Sequence, residues 1–355
     1  MDAMQGSDPA LSGHFRLTVE RLRHDGSLHA LVLAYLVFAI AATSVAHRPH
    51  LGGYILTYIY IWLRIAACFA LMIAGRVVWV LVRDRPERAL PHALTVVAEA
   101  CPPRAAAGMA LFLSTFVFMG AFTTVKTALP SLTSFWADPA LAALDRAVHL
   151  GHDPWRLLQP LLGHPLVTRS IEVVYMPVWA AMVSTMLAWM CIFCRDERLR
   201  RRFLVAFLAA WIINGTWLAG LFLSGGPVYS AELVGDSRPF SGLLAYLSEV
   251  SSGPHSAVEL QRALWATYTA GDDGLGAGIS AFPSLHVTMA TLMTLAGWSI
   301  RRGLGLAIGA FGAVILAGSV HLAWHYAVDG YAAIALTVLL WRMADSSVQP
   351  QRSSG

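Results

Sequence analysis

The sequence predicts an all-α fold: a polytopic membrane helix bundle of about eight transmembrane helices. Three observations carry that expectation. Hydrophobic residues make up 57% of the 355-residue chain and charged residues only 13%, where a soluble domain has about 25% charged. The apolar residues gather into stretches of spanning length. The basic residues alternate between the loops that join those stretches. Twelve Trp and ten Tyr suit interfacial belts, where an apolar ring keeps a polar tip wet.

About 20 apolar residues are needed to cross the hydrocarbon as a helix. The stretches 28–47, 54–82, 105–125, 171–194, 203–224, 280–299, 303–321 and 327–343 meet that need. The second is overlong, which predicts tilt or an interfacial first turn, and the last is short. A start near Ile61 would let Arg64 reach the outer interface along its own stem. The first 27 residues are polar, and the first apolar run is long enough to remain as a span, so no cleavable signal peptide is expected.

Of the 25 Lys and Arg, 16 fall in one alternate set of loops and 7 in the other, with Arg64 and Arg76 inside the second span. The dense set includes Arg21, Arg83, Arg195, Arg200, Arg201, Arg301 and Arg342; the sparse set includes Lys126, Arg238 and Arg262. Positive charge is retained on the cytoplasmic side, which puts both termini inside, as an even number of spans requires. The basic residues form no single stripe, so nucleic acid is not an expected partner. Cys191 and Cys194 form a CxxC that no second pair or His cluster completes into a zinc site. They read as inert thiols at a membrane end, and neither a metal nor a cofactor is implied. The apolar, Ala- and Arg-rich composition suits a bacterial inner membrane.

Two long segments, about 126–170 and 225–279, lie on the expected outer side. The first reads as short interfacial helices broken by Gly151-His152-Asp153-Pro154; the second carries Gly225-Gly226-Pro227 and a glycine-rich approach at Gly271–Gly278. Loops of that length in a compact fold are usually functional or disordered.

Chemistry concentrates in two clusters at outer span ends. Ser280-Ala281-Phe282-Pro283-Ser284-Leu285-His286 opens the sixth span. Pro283 suits the first helical position, with Ser280 or a residue after it as cap. The unpaired N–H groups of such a first turn make a seat for phosphate, and His286 lies within the same turn. The second cluster is His321-Leu322-Ala323-Trp324-His325-Tyr326-Ala327-Val328-Asp329-Gly330. His325 and Asp329 are four apart and share a helical face. A carboxylate there fixes the imidazole tautomer and frees the other ring nitrogen to attack phosphorus. A second group must protonate the departing oxygen.

The pair FPSLH and HYxxD, with the second histidine 39 positions after the first, resembles the second and third motifs of the type 2 phosphatidic acid phosphatase superfamily. The resemblance implies that His325 is the nucleophile, Asp329 its orienting partner, His286 the general acid and Ser284 a holder of a phosphate oxygen. More narrowly, AFPSLH, HYxxDG and the upstream Asp145…Gly151-His152-Asp153-Pro154-Trp155…Tyr175 look like the inositol phosphorylceramide synthase branch. That resemblance covers roughly 110–343. It implies a membrane lipid as substrate and a metal-independent phosphatase or inositolphosphotransferase-like reaction, while the arginine bias puts both clusters on the expected periplasmic side. The implied organisation is a cytoplasmic segment 1–27, two extra spans and their loop over 28–104, a six-helix phosphatase-type core over 105–343, and a disordered tail over 344–355.

Two departures stand out. The superfamily's first motif is Lys, six residues, then Arg-Pro; here Arg238-Pro239 is preceded by Ala231 at the lysine position. The third motif carries an Arg six residues before its nucleophile, where this chain has Ser319. His321, Arg262 or Arg238 are the candidate replacements, with Tyr229 as a further donor. The rival readings are a lipid transporter or flippase, which would need ionisable groups deep in several spans, and an inactive scaffold of the same fold, which the missing cations favour.

Overall fold

The computed structural model describes residues 18–46, 51–100, 105–253, 256–271 and 278–346. Among them all regular structure is helical, and seven helices are long and apolar enough to cross a membrane. In chain order these are α1 (Gly26–Val45), α2 (Leu51–Asp84), α4 (Ala105–Leu132), α7 (Pro165–Phe193), α8 (Glu197–Leu221), α13 (Arg302–His321) and α14 (Ala327–Ser346). Shorter helices lie between them: α3 (Ala89–Ala100), α5 (Asp138–Val148), α6 (Pro154–Leu162), α9 (Ser230–Val234), α10 (Ser241–Val250), α11 (Ala257–Ala270) and α12 (Leu285–Ile300). The expectations for 1–17, Cys101, 272–277 and the end of the tail fall outside the described residues.

Most span boundaries shift by a few residues from the sequence expectation, and three of the shifts bear on the site. The sixth span begins at Leu285 rather than 280, so its helix is 16 residues, about 24 Å long at 1.5 Å per residue. Residues 279–284 are not helical; they run into the bundle as irregular chain, which hydrocarbon tolerates only where protein or a cavity surrounds it. The cap of α12 is accordingly Ser284, and Pro283 lies outside the helix. The third span continues to Leu132 because Val125, Ala128 and Leu129 keep its apolar face buried. Lys126 therefore sits on a helix rather than in a loop. The second span begins at Leu51, which rules out a start near Ile61; the Arg64 guanidinium folds back 4.3 Å above the Tyr60 ring.

The first two spans share packing with the rest. Leu28, Val32, Tyr35 and Ala39 of α1 belong to the same buried cluster as Phe112, Phe207 and Leu292. Tyr35 hydrogen-bonds Thr216 of α8 at 2.7 Å. Helix α2 crosses α4 so closely that a Cβ on Gly120 would stand 2.7 Å from the Ile55 Cα; only glycine permits that approach. Helix α7 opens into wide π-type turns at Val174–Val178 and Trp189–Phe193. Pro177 lies in the first, where its missing N–H leaves the ladder incomplete.

Polar contacts gather at both ends of α8. At its start, Arg200 pairs with Asp25, Arg201 donates to the His24 carbonyl and Arg202 to the Trp341 carbonyl. This end brings together three of the arginine-rich segments. Cys191 and Cys194 are buried there as free thiols. Beyond the far end of α8 lie 224–229, the irregular 279–284 segment and the α13–α14 junction.

Candidate active site

The α13–α14 junction is a tight turn, Leu322–Tyr326, tied at several points. The Ser319 carbonyl accepts the Trp324 and His325 N–H groups at 3.0 and 3.1 Å. Ala323 holds φ 61°, a left-handed conformation unusual for a residue with a Cβ, and its carbonyl accepts the Val228 N–H at 3.1 Å. Ser319 itself is fully buried, with its hydroxyl donating to the Leu316 carbonyl.

Two carboxylates from α5 anchor this junction. Asp145 accepts the Ala327 and Val328 N–H groups at 3.1 and 3.0 Å; these are orphan donors of the first turn of α14, and a carboxylate there is favoured by the helix dipole. Asp138 accepts the Gly225 and Gly226 N–H groups at 2.9 and 2.8 Å and the Tyr326 hydroxyl at 3.1 Å. Burial pushes both carboxyls above the usual range, while these N–H bonds pull them back down. Gly226 has φ +85°, and a Cβ there would strike the Trp324 carbonyl oxygen, so this turn requires glycine.

The segment before α12 is strapped to the same frame. Ser224 accepts the Ala281 N–H through its carbonyl at 2.8 Å and the Phe282 N–H through its hydroxyl at 3.1 Å. Ser284 donates its N–H to the Asp329 carbonyl at 3.2 Å. Both histidine clusters thus hang on one hydrogen-bonded scaffold.

A cavity of about 410 Å³ opens among α2, α4, α7, α8 and this scaffold. His286 and His325 both face it. His325 Nδ1 stands 3.4 Å from Asp329 Oδ2, and that oxygen also accepts the Tyr326 N–H at 3.0 Å. Asp329 is fully buried behind the ring. His286 is held between two aromatic rings of α7, with centroids 4.3 Å from Tyr175 and 4.1 Å from Trp179. The Trp179 indole donates to the His286 carbonyl at 3.0 Å. Away from the histidines the wall is mainly apolar, including Phe116, Phe122, Phe207 and Trp211, with Tyr58 contributed by α2.

The other sequence-selected residues have different placements. Ser284 is buried and off the cavity wall; its hydroxyl caps α12 by accepting the Val287 N–H at 3.5 Å. Tyr229 lines the cavity with its ring, while its hydroxyl donates to the Gln261 carbonyl at 2.9 Å; burial pushes this phenol upward. His321 is buried away from the cavity, 2.9 Å from Thr168 Oγ1 through Nε2. Arg262 is exposed on α11. Arg238 is exposed and bonded to Asp236, whose carboxyl it holds down at about 2. None of these three cations lines the cavity. Lys126, assigned to an outer loop by the sequence, does line it. Asp138 also escaped sequence reasoning, although an acidic residue before a proline at the start of an interfacial helix was visible. Among the described residues no group of three or more His, Cys, Asp and Glu stands close enough to hold a metal ion.

The bundle and its chamber define a helical integral membrane protein with two histidines facing a largely apolar cavity. A family model described as the PAP2 superfamily matches residues 139–343, more than half of the chain, and the chain belongs to that superfamily. Its membership supports a phosphatase-type lipid phosphoesterase. Searches of curated proteins and of solved structures found no match.

Proposed function

We propose that this protein transfers a phosphoryl-containing group from a membrane lipid through a covalent intermediate on His325, as an inositol phosphorylceramide synthase-like member of its superfamily or as a phosphatase. The observation that carries this reading is the shared cavity: His325, backed by Asp329 at 3.4 Å, and His286 face one space. The Asp329 carboxylate, 3.4 Å from Nδ1, favours the tautomer with the proton on Nδ1 and leaves Nε2 as the nucleophile. Attack forms an N–P bond and breaks the P–O bond to the leaving alcohol, which takes a proton from His286. Water or a second alcohol, inositol or lipid, then gives its proton to His286 as it attacks phosphorus, and the N–P bond breaks. Charge stabilisation and positioning do most of the work in such transfers. The largely apolar depth of the cavity supports a lipid donor, a phosphomonoester or phosphodiester, whose tail lies among α2, α4 and α8.

The arginine-dense loops assign the Arg200 end to the cytoplasm by charge bias. Both termini then lie inside, and the His325 end faces the periplasm or cell exterior. Full-length protein in detergent, incubated with lipid phosphates and phosphodiesters with and without inositol or ceramide-like acceptors, tests the reaction. Released phosphate or a new lipid species is expected from wild type. His325→Ala should lower it by about 10⁴-fold or more, as loss of a covalent nucleophile does. Full activity in His325→Ala would refute the mechanism.

A further inference from the structure

We infer that Lys126 of α4 is the phosphate-binding cation of this site, replacing from a different helix the basic residues that the sequence lacks at their motif positions. The inference rests on the proposed phosphoryl transfer for its ligand, but its evidence is the cavity itself. The Lys126 side chain is half-buried in the bundle, and it lines the same chamber as His286 and His325. Among the described residues no carboxylate or other acceptor pairs with its ammonium, whereas the buried Arg200 at the other end of α8 has two carboxylate partners.

An ammonium within a membrane bundle is costly without a counter-ion. The chamber it faces also holds the indole of Trp324, whose N–H has no partner. An ammonium, two imidazoles and an indole N–H face the cavity, and among the described residues no acidic side chain lines it with them. Such a wall selects an anion. A phosphate seated between His286 and His325 would supply the missing counter-charge and would be held at the nucleophile.

The backbone fixes Lys126 in this role. Gly278 packs so close to it that a Cβ there would stand 2.9 Å from the Lys126 carbonyl carbon, which locks α4 against the segment leading to α12. Lysine is a compact point charge suited to phosphate, so its identity matters less than its charge and reach.

The test uses the full chain in detergent, with inorganic phosphate and orthovanadate as probes and thermal unfolding as the readout, alongside turnover of the lipid panel. Both anions are expected to raise the unfolding temperature of wild type and of His325→Ala. Lys126→Met should lose that response, unfold at a higher temperature than wild type without anion because an uncompensated charge is gone, and lose about 100-fold or more in kcat/KM. Lys126→Arg should keep most of the anion response. Equal stabilisation of Lys126→Met and wild type by phosphate would overturn the assignment, and so would a wild type that neither anion stabilises. Either result leaves the phosphoryl-transfer reading to be judged by His325→Ala, so the two proposals fail separately.

Discussion

The two ends of α8 treat buried charge in opposite ways. At its start, Arg200 is fully buried and its amino nitrogens meet Asp25 at 2.7 and 2.6 Å and Glu197 at 3.3 Å. Arg21 adds a bond to the Cys191 carbonyl at 3.3 Å. Every partner comes from the chain. Beyond the far end, half-buried Lys126 faces a chamber with no carboxylate among its described lining residues, and Asp329 Oδ1 and the Trp324 indole lack hydrogen bonds. A buried charge that the chain itself neutralises is architecture. One left open beside a cavity is waiting for something to bind.

That contrast is broken most severely at the closed end. Asp25→Ala leaves the Arg200 guanidinium buried with only Glu197 beside it, and removing one partner of a buried pair costs about 3–5 kcal/mol. The expected result is a large fall in unfolding temperature in detergent, with kcat unchanged in the fraction that remains folded. The double substitution Asp25→Leu with Arg200→Met should recover most of the loss, because apolar replacement of a whole buried pair is often neutral or favourable. A double variant no more stable than Asp25→Ala would show that the ion pair does more than fasten α1 to α8.

The next effect is intermediate, because Asp145 belongs to both categories. It is neutralised by the Ala327 and Val328 N–H groups, yet those groups open the helix that carries Asp329 in the same first turn. Asp145→Asn exchanges two charge-assisted bonds, each worth about 1.5–3 kcal/mol, for weaker ones. A small shift of α14 then moves Asp329 relative to His325, and a displacement of about 1 Å can cost about 100-fold in rate. We expect kcat to fall by about tenfold to 100-fold while KM stays near wild type. An unchanged kcat with a lower unfolding temperature would make Asp145 purely a helix anchor.

Much of this was legible in the sequence, and the parts that were not share a physical cause. Seven of eight spans follow from apolar run length alone, since hydrocarbon enforces that pattern locally. The His325–Asp329 pair follows from helical spacing and the motif around it. Lys126 did not, because an apolar run broken by a lysine reads as a span that has ended. Only tertiary packing of Val125, Ala128 and Leu129 shows that the helix continues past it. The early start assigned to α12 fails for a related reason: residues 279–284 are apolar enough to span, but the Ala281 and Phe282 N–H groups are taken by Ser224 and that of Ser284 by the Asp329 carbonyl rather than by a helical ladder. His321 and Arg262 were reasonable cations by chain proximity, and the fold turns both away from the cavity.

The smallest effect concerns the wall that the second span adds. Tyr58 lines the chamber from α2 and hydrogen-bonds Thr123 of α4 at 3.2 Å, while the Gly120 crossing fixes how close the two helices stand. If a lipid tail occupies the apolar depth, α2 sets how much of it fits. Tyr58→Trp would then take space from the chamber at some distance from His325. Apolar pockets discriminate weakly, by about tenfold for a contact the size of a methylene. The expected change is a rise of that order in KM for long-tailed donors, with short-tailed donors and kcat unaffected. A uniform fall in kcat across tail lengths would instead mean that α2 acts on the chemistry by shifting α4 and Lys126. In that case the open end of the bundle would depend on the added span as much as the closed end depends on Asp25.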